Sequence, residues 1–264
     1  MNKIGINISK RIIYGYDSFM KSIASAGFDS VFTCGNDDDF VKLVAENCAK
    51  YSLSYEYLHA PWDSINEMWF DSIDADDVLN NFKHSVDLAD AYGIPIVISH
   101  ISSKEDAPHV TDIGLKHFDD FVNYAAKKNK TVAVENQRKL GNIATVFEIY
   151  GKDSNVQFCW DVGHEKCFAH GREYLPLFAD RCVATHVHDN SCQYNVDEHL
   201  LPFDGSIDFR RTAELIHSFG YKGTLMLEID EPHEGSDKYI DLSVEQFAAK
   251  AFAAINRLRI MSEY

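Results

Sequence analysis

Six apolar runs along this chain each end in a side chain able to bind a metal ion or move a proton: His59, His100, Glu135, Asp161, His186 and Glu228. Three local groupings extend that set. Asp161-Val162-Gly163-His164 sets a carboxylate and an imidazole around one strand end, His186-Val187-His188 puts two imidazoles on one strand face, and Asp197-Glu198-His199 lies in the loop that follows. At least nine oxygen and nitrogen donors are thus expected on one rim. Carboxylates gathered without a cation would repel one another and take up protons, a difficulty that a divalent ion removes. An all-nitrogen-and-oxygen set suits Mn2+, Zn2+, Co2+, Fe2+ or Mg2+ and does not choose among them.

Donors so far apart in sequence need a fold that brings strand ends to one point. The parallel (β/α)8 barrel does so, and its active sites lie on the face formed by the C-terminal strand ends. The chain has 264 residues, about the size of one such barrel, and no Pro/Gly/Ser-rich linker or composition break divides it, so one domain over 1–264 is expected. Strands are predicted at Ile4–Ser9, Ser30–Thr33, Ser54–His59, Ile94–His100, Thr131–Glu135, Val156–Asp161, Val183–His188 and Thr224–Ile229. Helical periodicity lies between them, clearest over Asp76–Tyr92, Asp112–Lys128, Phe209–Phe219 and Val244–Leu258. Gly27, Gly93, Gly151 and Gly220 follow helical runs, where a left-handed C-cap is expected. Strand–helix alternation implies parallel strands, and eight units imply closure.

Side-chain parity agrees with this placement. Alternate residues of a strand share a face, so Ala133 and Thr131 share the side of Glu135, Cys159 and Gln157 that of Asp161, and Met226 and Thr224 that of Glu228. The larger apolar residues Val132, Val134, Phe158, Trp160, Leu225 and Leu227 point the other way, toward a helix layer. The carboxylates therefore face the barrel interior.

Composition narrows the partners. Formal net charge is −16, from 41 acidic against 25 basic residues. That field repels polyanions, and the densest basic stretch, Lys127-Lys128-Asn129-Lys130, sits at a helix end where cations favour the dipole. Nucleic acid is therefore a poor partner. Met1–Ser9 is followed by Lys10 and Arg11, so neither a signal peptide nor a membrane span is expected. Six cysteines without a C-x-x-C pair read as reduced thiols of a cytoplasmic protein.

Plainer roles suit other residues. His84, His109, His117, His217 and His233 fall on helices or loops and are expected at the surface or in packing. Cys159 and Cys192 read as small fillers near the rim, and Asp37-Asp38-Asp39 as a solvated helix start. Trp62 and Trp69, after the third strand, could wall a pocket or pack a lid, and the pocket wall is the reading adopted.

These motifs together resemble the xylose isomerase-like barrel superfamily, which joins sugar isomerases and epimerases with the type IV apurinic endonucleases. The resemblance runs from Ile4 to about Leu258 and rests on His59-Ala60-Pro61-Trp62, Val134-Glu135-Asn136, Trp160-Asp161-Val162-Gly163-His164, His186-Val187-His188-Asp189-Asn190, Asp197-Glu198-His199-Leu200-Leu201-Pro202 and Leu227-Glu228. As implied by the ketose 3-epimerases, one metal would be held by Glu135, Asp161, His186 and Glu228, the two glutamates would act as acid and base, and His164 would bind substrate. Those enzymes carry a second Glu and an Arg where this chain has Gly141 and Cys192. As implied by the endonucleases, three zinc ions would be held by His59, His100, Glu135, Asp161, His164, His186, Asp197, His199 and Glu228, and all nine positions are filled here.

Two activities follow as expectations. The first is a metal-dependent isomerase or epimerase of a small sugar or sugar phosphate, working by proton transfer through a metal-stabilised enediolate. In it Glu135 and Glu228 are catalytic, His59, Trp62, His100, His164 and His188 bind substrate, and Mn2+ or Zn2+ is preferred over Mg2+ or Co2+. The alternative is an endonuclease IV-type multi-zinc phosphodiester hydrolase acting on abasic DNA, with His59, His100, His164, Asp197 and His199 as accessory metal ligands. A barrel that binds a small ligand without turnover is the third class. Homo-oligomerisation stays open.

Overall fold

Short runs rich in Val, Ile and Leu form eight parallel strands: β1 (Ile4–Ile8), β2 (Ser30–Cys34), β3 (Ser54–His59), β4 (Ile96–Ser99), β5 (Thr131–Glu135), β6 (Val156–Asp161), β7 (Cys182–His186) and β8 (Leu225–Leu227). The computed structural model describes all residues from Met1 to Tyr264. Between and after the strands lie α1 (Tyr16–Ala26), α2 (Asp38–Tyr51), α3 (Ile73–Ala91), α4 (Asp112–Lys127), α5 (Leu140–Ile149), α6 (Val162–Phe168), α7 (Leu175–Phe178), α8 (Phe209–Phe219) and α9 (Val244–Met261). The strand order is β7-β6-β5-β4-β3-β2-β1-β8. Closure between β7 and β8 rests on a bridge at Val187–Leu227, with the Val187 N–H donating to Met226 O at 2.8 Å and the Glu228 N–H to Val187 O at 3.2 Å. The expected (β/α)8 barrel is therefore present, nearly closed, and spans the chain.

Several boundaries differ from the sequence reading. β4 begins at Ile96, after Pro95, and β8 shortens to three residues, leaving Glu228 one residue beyond it. α3 begins at Ile73, because the Ser72 hydroxyl accepts from the Ala75 N–H and starts the helix early. Gly151 is not a left-handed cap: α5 stops at Ile149 and Tyr150 is extended. Gly27 and Gly220 do take the left-handed cap, and Gly93 has positive φ just past the Tyr92 cap.

The core has two layers. Outward-facing strand residues, including Val132, Val134, Phe158, Trp160, Leu225 and Leu227, pack against the helices. Inside the barrel sits a separate plug of seven buried residues: Phe32, Tyr57, Ile98, Ala133, Cys159, Ala184 and Met226. Six of these lie two positions before the six strand-end donors, so each donor stands on an apolar neighbour of its own strand face. Period-two alternation thus both fills the barrel and lifts the polar groups to its rim.

Candidate metal centre

The strand register fixes the heights of the donors. His59 pairs with Ile98, Ile98 with Ala133, Glu135 with Cys159, and Asp161 with His186. The donors therefore climb stepwise around the barrel, as its stagger requires. Three groups of side chains result, in each of which the candidate ligand atoms lie within 4.8 Å of one another: Glu135, Asp161, His186 and Glu228; His59, His100 and Glu135; and His164, His188, Asp197 and His199. Glu135 belongs to two of them. Its Oε2 is 2.9 Å from His59 Nε2, 3.1 Å from His100 Nε2 and 3.4 Å from His186 Nδ1. His186 Nδ1 is also 3.2 Å from Glu228 Oε2, and His188 Nε2 is 3.2 Å from Asp161 Oδ1. Asp197 Oδ2 lies 3.1 Å from His164 Nε2 and 3.2 Å from His199 Nε2.

Local structure aims these groups. Asp161 ends β6 and also caps α6, accepting from the His164 N–H at 2.6 Å, so strand end and helix start share one carboxylate. The Asn136 side chain locks that corner, accepting from the Asp161 N–H at 2.7 Å and donating to the Asp161 carbonyl at 2.9 Å. Gly163 is required by packing, since a Cβ there would stand 1.9 Å from His188 Cε1. The ring of His186 rests on Phe32 of the plug, stacked at 4.7 Å.

Proton bookkeeping shows what the cluster accepts. His59 Nδ1–H donates to the Ala60 carbonyl at 2.7 Å, and His199 Nδ1–H to the Glu228 carbonyl at 2.9 Å. Each ring therefore turns Nε2 toward a carboxylate, which is itself only an acceptor, so a proton or a cation must lie between them. Buried atoms without an aligned hydrogen-bond partner include Glu135 Oε1, Asp161 Oδ2 and both ring nitrogens of His186 and of His188. Unsatisfied groups of this kind cost about 1–3 kcal/mol each. Buried oxygen and imidazole donors pointing at common centres fit a divalent ion.

Electrostatics agree. Burial would raise the carboxyl of Glu135, but His100, His186 and His164 hold it well below the usual range. Burial likewise opposes ionisation of Glu228, and His186 overrides it, keeping the carboxyl low. Burial pulls the imidazoles of His164 and His186 down, yet Asp161 and Glu135 raise the first and Glu228 and Glu135 the second well above normal. His199 behaves likewise, raised to about 9 by Asp197 against its burial. Burial lowers His100, with Glu135 pulling the other way. Glu135 and Glu228 are thus biased toward the ionised form, and positive charge is drawn to the space around them.

Above the donors opens a cavity of about 660 Å3, within the range of small-molecule sites. His59, Trp62, His100, Glu135, His164, Asp197, His199 and Glu228 line it. Asp161 and His186 are fully buried beneath it. His188 is also fully buried, its ring stacked under His199 at 4.0 Å, which places it behind the cavity wall. The two tryptophans divide. Trp62, 42% exposed, stands edge-on to His59 at 5.0 Å. Trp69, expected as pocket wall, is buried in a short 3-10 helix and donates from Nε1 to Ile101 O at 2.6 Å, so it packs. Gln137, Arg138, Phe168 and Lys104 line the cavity without having been expected. Their signal was position, two to five residues beyond a strand end, or within the helix that follows. A wider hollow of about 930 Å3 at the opposite end of the barrel, lined by Tyr57, Glu56 and Lys222 among others, holds none of the donor groups.

Comparison with known proteins places this geometry. An uncharacterized protein of Sinorhizobium fredii, y4fM, is 32% identical over 193 residues, 68% of this chain. The chain spans 59% of that relative's length. A crystal structure of a D-tagatose 3-epimerase-like protein superposes with a TM-score of 0.75 at 17% identity, covering 99% of this chain and 98% of the other. A D-psicose 3-epimerase, crystallised in the presence of D-fructose, gives 0.75 at 12%, covering 99% and 100%. At such identities the likeness is one of fold. No helix is long and apolar enough to cross a membrane. A family model described as xylose isomerase-like TIM barrel matches residues 14–249, and the chain belongs to that family.

Proposed function

We propose that the chain, acting as one barrel domain, is a divalent-metal-dependent isomerase or epimerase of a small sugar or sugar phosphate. The observation that carries this reading is a division within one donor group. Glu135 and Glu228 line the cavity, whereas Asp161 and His186 lie buried below them. Two carboxylates facing a substrate-sized space are suited to proton transfer. The D-psicose 3-epimerase and the D-tagatose 3-epimerase-like protein of the same fold support the substrate class.

Glu135, Asp161, His186 and Glu228 would hold the ion, Mn2+ or Zn2+ by preference. When bound, the ion would supply Lewis acidity, polarising a carbonyl and acidifying the adjacent C–H. One glutamate, ionised, takes the proton from the carbon next to the carbonyl; the other, protonated from solvent in the substrate complex, gives its own proton to the opposite face in an epimerisation, and exchange with solvent resets the pair. His59, His100 and His164 hold hydroxyl oxygens, and the Trp62 indole shields the reacting face from water. The test uses Mn2+-loaded protein with D-fructose, D-tagatose and D-psicose in deuterated solvent. Glu135→Gln and Glu228→Gln are each expected to lower α-proton exchange by about 10²–10⁴-fold while the sugar still binds. Full exchange in both variants would refute the mechanism.

One observation favours a second reading, hydrolysis of a phosphodiester by several zinc ions: the three donor groups adjoin and share Glu135. Three tightly held zinc ions per chain by elemental analysis, together with nicking of abasic DNA at physiological salt, would put it first. The net charge of −16 weighs against it.

A further inference from the structure

Two basic side chains, Lys104 and Arg138, line the cavity, and neither makes an ion pair. Elsewhere in this acidic chain basic groups are commonly paired, as in the two-pronged Arg211–Glu173 contact and the Lys128 bridges to Asp87 and Asp90. Asp63, Glu67 and Asp74 also line the cavity, and neither cation pairs with them.

Arg138 is nevertheless held in place. Its guanidinium lies over the Phe168 ring at 3.5 Å, and Phe168 stacks on His164 at 4.9 Å. Its Nε donates to Asn195 Oδ1 at 2.7 Å, and Asn195 is fixed in turn by donating to Glu105 at 2.8 Å. Both Nη groups are left without a protein acceptor. A planar fork anchored on an aromatic face and a neutral amide, with its two outer donors free, matches a carboxylate or phosphate better than a hydroxyl. The protein's negative field disfavours anions at long range, so an anionic substrate needs such a local cation.

We propose that Arg138, assisted by Lys104, forms an anion subsite in this cavity, so that the substrate is an acidic sugar, either a sugar phosphate or a sugar acid. This rests on the sugar reading above and narrows it. The test compares binding of D-fructose, D-fructose 6-phosphate and 5-keto-D-gluconate to Mn2+-loaded protein by titration calorimetry. The wild type should bind at least one of the two anions ten times or more tighter than D-fructose, and which one separates phosphate from carboxylate recognition. In Arg138→Gln that preference should fall to within twofold, and Arg138→Lys, which keeps charge but loses the fork, should fall between. Equal binding of neutral and anionic sugars by the wild type, or an undiminished preference in Arg138→Gln, overturns the subsite. Should Arg138→Gln fail to fold, as judged by its melting curve, the same ratio is read in Arg138→Lys and Lys104→Gln. Deuterium exchange separates the two claims. An anion preference without exchange in any sugar retires the isomerase reading and keeps the subsite, and exchange of D-fructose without anion preference does the reverse.

Discussion

The carboxyl of Glu231 shows at residue scale how a barrel rim handles charge away from its ligands. It is buried, its Oε2 accepts the Ser9 N–H at 2.8 Å, and its Oε1 has no partner. Burial raises its pKa well above the ordinary carboxyl value, outweighing the Ser9 hydrogen bond. The sign follows from linkage: a folded-state pKa above the unfolded one favours the fold at low pH, and that contribution is lost as pH rises through the folded value. Glu231→Gln should therefore match the wild type near pH 4 and exceed it by about 1–3 kcal/mol at pH 8, the penalty for a buried uncompensated polar group. Melting curves over that range check this, and parallel pH profiles would contradict it. The rim positions of His59, His100, Glu135, Asp161, His186 and Glu228 were legible in sequence because each follows an apolar neighbour two places before it on the same strand face. Arg138 and Phe168 were not, because nothing in their spacing tells which way a loop or a short helix turns its side chains. Trp62 and Trp69 could not be told apart for the same reason.

At the scale of elements, the contact between α4 and Trp69 is a close-packed joint near the site. Thr111 caps α4 by accepting the Gly114 N–H at 3.1 Å and donates from its hydroxyl to Trp69 O at 2.6 Å. A Cβ on Gly114 would lie 2.1 Å from Trp69 Cε3 and 2.8 Å from Trp69 Cα, so the backbone itself would have to move. Gly114→Ala gains helix propensity, worth up to about 1 kcal/mol. Overpacking costs about 1–3 kcal/mol and should win, because the obstacle includes main chain. Denaturant unfolding is expected to show net destabilisation, and a gain would mean that the 3-10 helix Ile65–Trp69 yields freely. Strand and helix identities were readable from period and capping. Their ends were less so, since caps such as Ser72 and the early stop of α5 depend on hydrogen bonds that a residue pattern does not display.

For the whole molecule, ion binding and folding are expected to be linked, because the candidate ligands come from β5, β6, β7 and the residue after β8. An ion present at 100 times its dissociation constant adds about 2.7 kcal/mol to a fold that alone binds it. Mn2+ or Zn2+ should raise the melting temperature, and Asp161→Asn with His186→Gln should abolish the shift. Fold class could be read from the alternation of elements, but the sequence did not show how the ring is joined. The β7–β8 junction carries only a bridge and a few hydrogen bonds, and His186 and Glu228 stand on its two sides. If the strands are staves, an ion gripped by those two residues is the hoop across the one loose joint. Amide hydrogen exchange in β7 and β8 should slow on Mn2+ addition far more than in β3 and β4, in which case the ion proposed for the chemistry would also decide how tightly the barrel is shut.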